Sequence, residues 1–323
     1  MKRTPWLAGL AAAVAATAIT GCSANPGNDA AATPAAPKLA VVATTPEVAD
    51  FLRNIGGDAV DVTQIIKPNV DPHDYEPTPA DLQAISKAKL VVKNGVGLEE
   101  WLDRTIESAG FSGTVVDSSQ GVTLREGGHE HEEGEEEHAE EAGEEEHDPH
   151  IWHDPRNAKI MVQNIEKALT TADPAQASTF AGNVSAYTAE LDKLDADNEA
   201  AFKAVTNRKL VTNHDAFGYY IARYDLEFVG SVIPSMDTSA ELSAKQLNDL
   251  IAKIKQTGTK AIFAESSLPP KTAEAIAQQA GVKVVAGEDA LFGDSLGEPG
   301  SPEGTYLGAE RHNTQVIVEA LAG

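Results

Sequence analysis

One cysteine, Cys22, occurs in 323 residues, so no disulfide can form within the chain and oxidation does not staple the fold. Basic side chains are scarce: 25 Lys and Arg stand against 50 Asp and Glu, a formal net charge of −25. Such a surface repels nucleic acid and anionic lipid heads and draws cations, or simply keeps the chain soluble; composition does not choose between these. After the stretch at residues 6–20, itself short for a bilayer span, no apolar run is long enough to cross a membrane. The chain carries no HExxH or phosphate-loop motif, and no nucleophile elbow is expected, which leaves the common hydrolytic chemistries without a signature.

Residues 1–21 read as a signal peptide. Lys2 and Arg3 open it, an Ala-rich apolar run follows, and Ile19-Thr20-Gly21-Cys22 resembles a bacterial lipobox. The resemblance implies cleavage before Cys22 and lipidation of its thiol, with an ordinary signal peptide and an incidental cysteine as the alternative. Residues 22–37 are rich in Ala, Pro, Asn and Gly and read as a flexible tether. What remains is long enough for two lobes with a core each.

From residue 38 onward, short β-rich runs alternate with helical patterns, the mark of parallel sheets in an α/β fold. Strands are expected at 39–43, 60–66, 90–93 and 114–116, and again at 210–212, 228–232, 261–264 and 282–285. Helices are expected at 46–54, 79–87 and 99–109, then at 155–171, and later at 271–280 and 306–321. Thr78 before Pro79, and Ser243 three residues ahead of Gln246, carry N-cap signals. A long helical pattern after Pro174 reads as a stiff rod at 174–206 between an N-terminal lobe (38–173) and a C-terminal lobe (207–323). The acidic stretch 126–148, with thirteen acids and no Lys or Arg, is low in complexity and is expected to be disordered without metal.

Four potential metal ligands fall in loops that follow strands, two in each half: His73 in DPHDYEPTP, His150 in DPHIWHDP, His214 in TNHDAFGYY and Asp294 in LFGDSLG. Each alone reads equally well as ordinary loop polarity. Three imidazoles and a carboxylate suit a tetrahedral Zn²⁺ site. Trp152 is placed to wall such a site, and Asp215 to accept the second imidazole N–H of His214.

These motifs, together with VVATTPEVADFLRNIGG, LQAISKAKLVVKNG and GTYLGAERHN, give the chain a close resemblance to the solute-binding lipoproteins of zinc and manganese ABC importers, the cluster A-I (cluster 9) family. The resemblance runs from about residue 39 to the C-terminus. It implies two (β/α) lobes joined by a long rigid helix with a metal cleft between them, and His73, His150, His214 and Asp294 as ligands. It also implies a permease dimer with its ATPase as partner, a monomeric binding protein, and attachment to the outer face of the cell membrane through a lipid on Cys22.

Two departures from the family pattern stand out. His153 occupies a position that is usually aliphatic, three residues from His150; it is expected at the pocket edge or surface, or as an auxiliary ligand. The histidines of the acidic loop, His129, His131, His138 and His147, are sparser than in many zinc members, so the loop is either a local cation store or a solvated insertion.

Imidazole favours zinc over manganese, which prefers oxygen donors. Family members that carry manganese typically place a carboxylate where this chain has His214. The expected cargo is therefore Zn²⁺, with Mn²⁺ as the alternative. Ligand imidazoles must be neutral, so affinity is expected to fall as pH drops through about 6.5. A surface adhesin or metal buffer shares the same site and anchor. A zinc hydrolase is the weaker rival, because four protein ligands close the position that catalytic zinc keeps for water.

Overall fold

The computed structural model describes residues 37–127 and 147–322. The expected signal segment, Cys22 and its tether up to residue 36, and the loop residues His129, His131 and His138 lie outside the described residues. Among the described residues no helix is long and apolar enough to cross a membrane.

β-branched runs set the strands of the first sheet: β1 (Leu39–Ala43), β2 (Val60–Gln64), β3 (Leu90–Lys93) and β4 (Thr114–Asp117) pair in parallel in the order β2-β1-β3-β4. Parallel neighbours need crossovers, and α1 (Pro46–Gly56), α2 (Pro79–Lys87) and α3 (Leu102–Ala109) supply them. Thr45 caps α1 with Pro46 in its first turn, and Thr78 forms a capping box with Asp81 at the start of α2. Then α4 (Pro155–Ala172), capped by Asp154, and α5 (Ala177–Phe202) lead to the second half.

There β5 (Lys209–Thr212), α6 (Gly218–Tyr224), β6 (Glu227–Ser231), α7 (Ala244–Thr257), β7 (Ala261–Phe263), α8 (Lys271–Ala280) and β8 (Lys283–Val285) repeat the alternation, and the sheet order is β6-β5-β7-β8. The two sheets thus share one strand order although the sequence shows no residue-level repeat. In each, the chain switches direction across the sheet beside its first strand, between β1 and β3 or between β5 and β7. Ligands bind beyond the carboxyl ends of strands at such points.

The lobes are tied by two helices. The 26-residue α5 places Phe180, Tyr187, Leu191 and Leu194 in the first lobe's core and Phe202 in the second's. The closing helix α9 (Tyr306–Ala322) does the same, with Tyr306 and Leu307 in the first core and Val316, Ile317 and Leu321 in the second. Asp50 fastens both to α1, accepting from the Tyr187 hydroxyl at 3.3 Å and the Tyr306 N–H at 3.1 Å.

Three elements differ from expectation. The rod expected at 174–206 opens as a short 3-10 turn, Pro174–Gln176, whose Ala175 N–H is capped by Asp173, and its α-helical part ends at Phe202. Helix α3 begins at Leu102 instead of Glu99, because the Glu99 carboxylate serves the β3 end instead. It accepts from the Thr44 hydroxyl at 2.7 Å and from the N–H groups of Asn94 at 2.7 Å and Gly95 at 3.1 Å. Helix α6 was not expected: its sequence, GYYIARY, has no side-chain cap and an aromatic content more typical of strands.

Phe51 of α1 is fully buried, with ring centroids 4.9 Å from Tyr306 and 6.2 Å from Tyr187, so it joins α1, α5 and α9 at one point. Phe51→Ala should cost about 3–5 kcal/mol of stability, read as a lowered midpoint in urea unfolding.

Candidate metal centre

The four side chains singled out from the sequence converge. His73 stands in the Pro-rich loop after β2, His150 at the turn Ile151–His153 that leads into α4, His214 just beyond β5, and Asp294 in the Gly-flanked loop after β8. One ligand atom from each lies within 4.8 Å of all the others. His150, His214 and Asp294 are wholly buried, and the His73 side chain is 6% exposed.

Five short contacts join the four side chains; Asp294 reaches His150 with one oxygen and the other two histidines with the other. His150 Nε2 is 3.3 Å from His73 Nε2 and 3.4 Å from His214 Nε2. Asp294 oxygens lie 3.1 Å from His214 Nε2, 3.2 Å from His150 Nε2 and 3.6 Å from His73 Nε2. A tetrahedron of ligands around Zn²⁺ at bonds of about 2.0–2.1 Å has edges of about 3.3–3.4 Å. The cluster therefore has the dimensions of a four-coordinate metal shell.

Carboxylates behind the rings fix two of the imidazoles. His150 Nδ1 donates to Asp148 Oδ1 at 2.9 Å, and His214 Nδ1 donates to Glu265 Oε1 at 2.8 Å. The same oxygens accept the backbone N–H of His150 and of His214, both at 3.0 Å. With the proton held on Nδ1, each ring points its Nε2 lone pair at the cluster centre. Both Asp294 oxygens are buried without a hydrogen-bond donor in that arrangement. Acceptors facing acceptors in a buried space require a cation or extra protons.

The local charges show which protons serve when metal is absent. Burial pulls the His150 imidazole down, but Asp294 and Asp148 outweigh it and hold the group up at about 9. Burial likewise opposes charge on His214, and Asp294 with Glu265 raises it well above its usual value. Burial prevails at His73, which is lowered. Asp294 is held well below the carboxylate range because His214 and His150 overcome the cost of its burial. These directions favour positive charge on His150 and His214 and negative charge on Asp294, and disfavour charge on His73.

The surroundings are dry. Trp152 is buried with its ring 5.4 Å from His150, and its indole N–H donates to the Gly293 carbonyl at 3.2 Å. Glycine is needed at position 293, since a Cβ there would stand 2.0 Å from Glu265 Oε2.

Other expectations are corrected. Asp215 does not orient His214: that role falls to Glu265, beyond the end of β7 and so at the switch point of the second sheet. Nothing local in the sequence pairs Glu265 with a residue 51 positions away. Asp148 was also missed; its place two residues before His150 in Asp-Pro-His is a local signal, but the same spacing in Asp71-Pro72-His73 leaves the ring unbonded. His153 is not at the surface. It is fully buried, stacked on Phe217 with centroids 4.5 Å apart, and its Nδ1 is 2.8 Å from Glu310 of α9. That pairing holds it outside the four-residue cluster. His147 also stands outside it, in an isolated antiparallel bridge with Glu126.

One segment, Gly293-Asp294-Ser295-Leu296-Gly297, does match the G-x-S-x-G spacing of a nucleophile elbow. It is not a strand-to-helix turn, since β8 and α9 are separated from it by 3-10 turns. The Ser295 hydroxyl accepts the Asn69 N–H at 2.7 Å and donates to the Leu296 carbonyl at 3.0 Å, and no histidine bonds to it among the described residues.

Comparison with known proteins agrees with this fold. A family profile described as zinc-uptake complex component A, periplasmic (ZnuA), matches residues 41–320. The zinc-binding protein TroA of Treponema pallidum is 34% identical over 88% of this chain and 89% of its own length. The manganese ABC transporter substrate-binding lipoprotein PsaA of Streptococcus mitis is 31% identical over 88% of this chain and 90% of its own length. The solved structure of the T. pallidum periplasmic zinc-binding protein superposes with a TM-score of 0.77 at 32% identity, covering 88% of this chain and 99% of that one. By descent and by architecture, the chain belongs to the ZnuA family, the metal-binding components of ABC metal import.

Proposed function

We propose that this chain captures Zn²⁺ outside the cell membrane and hands it to an ABC permease, with His73, His150, His214 and Asp294 as the ligands. The single observation that carries the reading is the convergence of one ligand atom from each of the four side chains to within 4.8 Å of the others, with neighbouring contacts of 3.1–3.6 Å. Three imidazole nitrogens against one carboxylate favour zinc over manganese, which seeks oxygen. The relatives include proteins named for zinc and for manganese, so donor chemistry supplies the choice between them.

The role is capture, not catalysis. Four protein ligands fill the shell and leave no position for an activated water. Zn²⁺ exchanges its hydration shell for the four side chains and displaces the protons on His150 and His214. The loaded lobes then present themselves to the two halves of a permease, while a lipid on Cys22 and the tether behind it keep the protein at the membrane. The acidic stretch 126–148 adjoins His150 in sequence and, in this reading, concentrates cations beside the centre.

Four measurements bear on this. Competitive titration of the purified chain should give one tightly bound Zn²⁺ that Mn²⁺ does not displace; a preference for Mn²⁺ overturns the choice of metal. Glu265→Ala should weaken zinc binding by about 10–100-fold, since it frees the His214 ring to turn. Calorimetry in buffers of different ionisation enthalpy at pH 7.5 should register about two protons released per ion. Because His150 is held at about 9 in the metal-free chain, zinc affinity should go on rising with pH toward that value instead of levelling off above the usual histidine range.

A further inference from the structure

The tripeptide Asp-Pro-His occurs twice at the centre, as Asp71-Pro72-His73 and as Asp148-Pro149-His150. Its local geometry is the same both times: the aspartate Oδ1 accepts the N–H of the histidine two residues on, at 2.9 Å in the first copy and 3.0 Å in the second. The copies differ in what else the carboxylate does. Asp148 Oδ1 also takes the ring Nδ1 of its histidine at 2.9 Å. Asp71 leaves the His73 ring alone and turns Oδ2 across to the other lobe, where it accepts the Thr238 hydroxyl at 2.6 Å.

Thr238 belongs to the loop between β6 and α7, so this hydrogen bond links the two lobes at the rim of the centre. A second link from the same His73 loop runs from the Asn69 N–H to Ser295 Oγ, next to Asp294. The His73 ring itself has only Asp237 near its Nδ1, at 4.0 Å and 43% exposed, too far for a hydrogen bond. His73 is also the one member of the cluster with exposed side-chain surface. The ring therefore lacks the Nδ1 clamp that holds His150 and His214, while the loop that carries it is fastened to the opposite lobe.

We infer that His73 is the gate ligand, last to close on the ion and first to let go, and that the Asp71–Thr238 hydrogen bond is the latch that sets how fast it opens. This rests on the zinc-capture reading above. The two helices that run through both cores resist wide separation of the lobes, so release must start at a small element, and the His73 loop is the outermost one that carries a ligand. His150 and His214, clamped by buried carboxylates, form with Asp294 the floor on which the ion stays until that loop lifts.

The latch can be cut without touching a ligand or its backbone support. Thr238→Val keeps the side-chain shape and removes the hydroxyl, and Asp71 still holds the His73 N–H. Thr238→Ala removes the hydroxyl without the added methyl. Thr238→Ser keeps the hydroxyl. Zinc release from each loaded protein into excess chelator, followed by stopped flow, should be about tenfold faster for Thr238→Val and Thr238→Ala than for the wild type, the loss expected for one hydrogen bond to a carboxylate. Thr238→Ser should release at the wild-type rate, and all variants should still bind one ion per chain. The inference fails if the Val variant releases at the wild-type rate, if Ala and Val disagree, or if Ser is as fast as Val. A wild-type chain that holds no ion fails differently: it removes the capture reading and the latch together.

Discussion

Four acceptors converge from two lobes on one buried point, and this confrontation of lone pairs is the constraint from which the rest of the centre follows. Three Nε2 atoms and a carboxylate cannot converge to within 4.8 Å in a buried site without positive charge between them. Either a cation supplies it, or His150 and His214 take up protons. Asp148 and Glu265 set the terms of that exchange. They fix both rings with Nδ1 outward and raise their hold on a second proton, so that metal and proton compete for the same space.

The scaffold explains how the four side chains are brought together. Each sheet offers a switch point, and the second one contributes both His214 and its orienting Glu265. The first contributes Asn94, whose side chain donates to the Pro149 carbonyl at 2.9 Å and so steadies the segment that carries His150. Tyr306 of α9 donates to the Trp152 carbonyl at 2.6 Å, and Trp152 donates to Gly293 beside Asp294. Together with α5 and α9 threading both cores, these bonds hold the His150 and Asp294 segments in place. Only the His73 loop depends mainly on links to side chains at the rim.

Much of the architecture was legible because it rests on local signals. The strand–helix rhythm, the caps at Thr78 and Ser243, and the helical pattern of the long helix are each decided within a few residues. Apart from the start of the long rod, where Asp173 caps a local turn, the misjudged positions answer to distant partners. Glu99 left helix α3 for Thr44, 55 positions away. The aromatic segment at 218–224 became helix α6 where Tyr220 and Tyr224 pack against Phe202 of α5. His153 was drawn inward by Glu310, 157 residues on.

Sequence alone carried the alternation of the fold and the four side chains that converge, because strand–helix rhythm and ligand chemistry are both written in short segments. Only the tertiary structure decided that Glu265 and not Asp215 stands behind His214, that His153 turns away to Glu310, and that the two Asp-Pro-His copies diverge. Those outcomes depend on which loops the two sheets bring face to face, and spacing along a chain carries no record of a partner that burial alone selects.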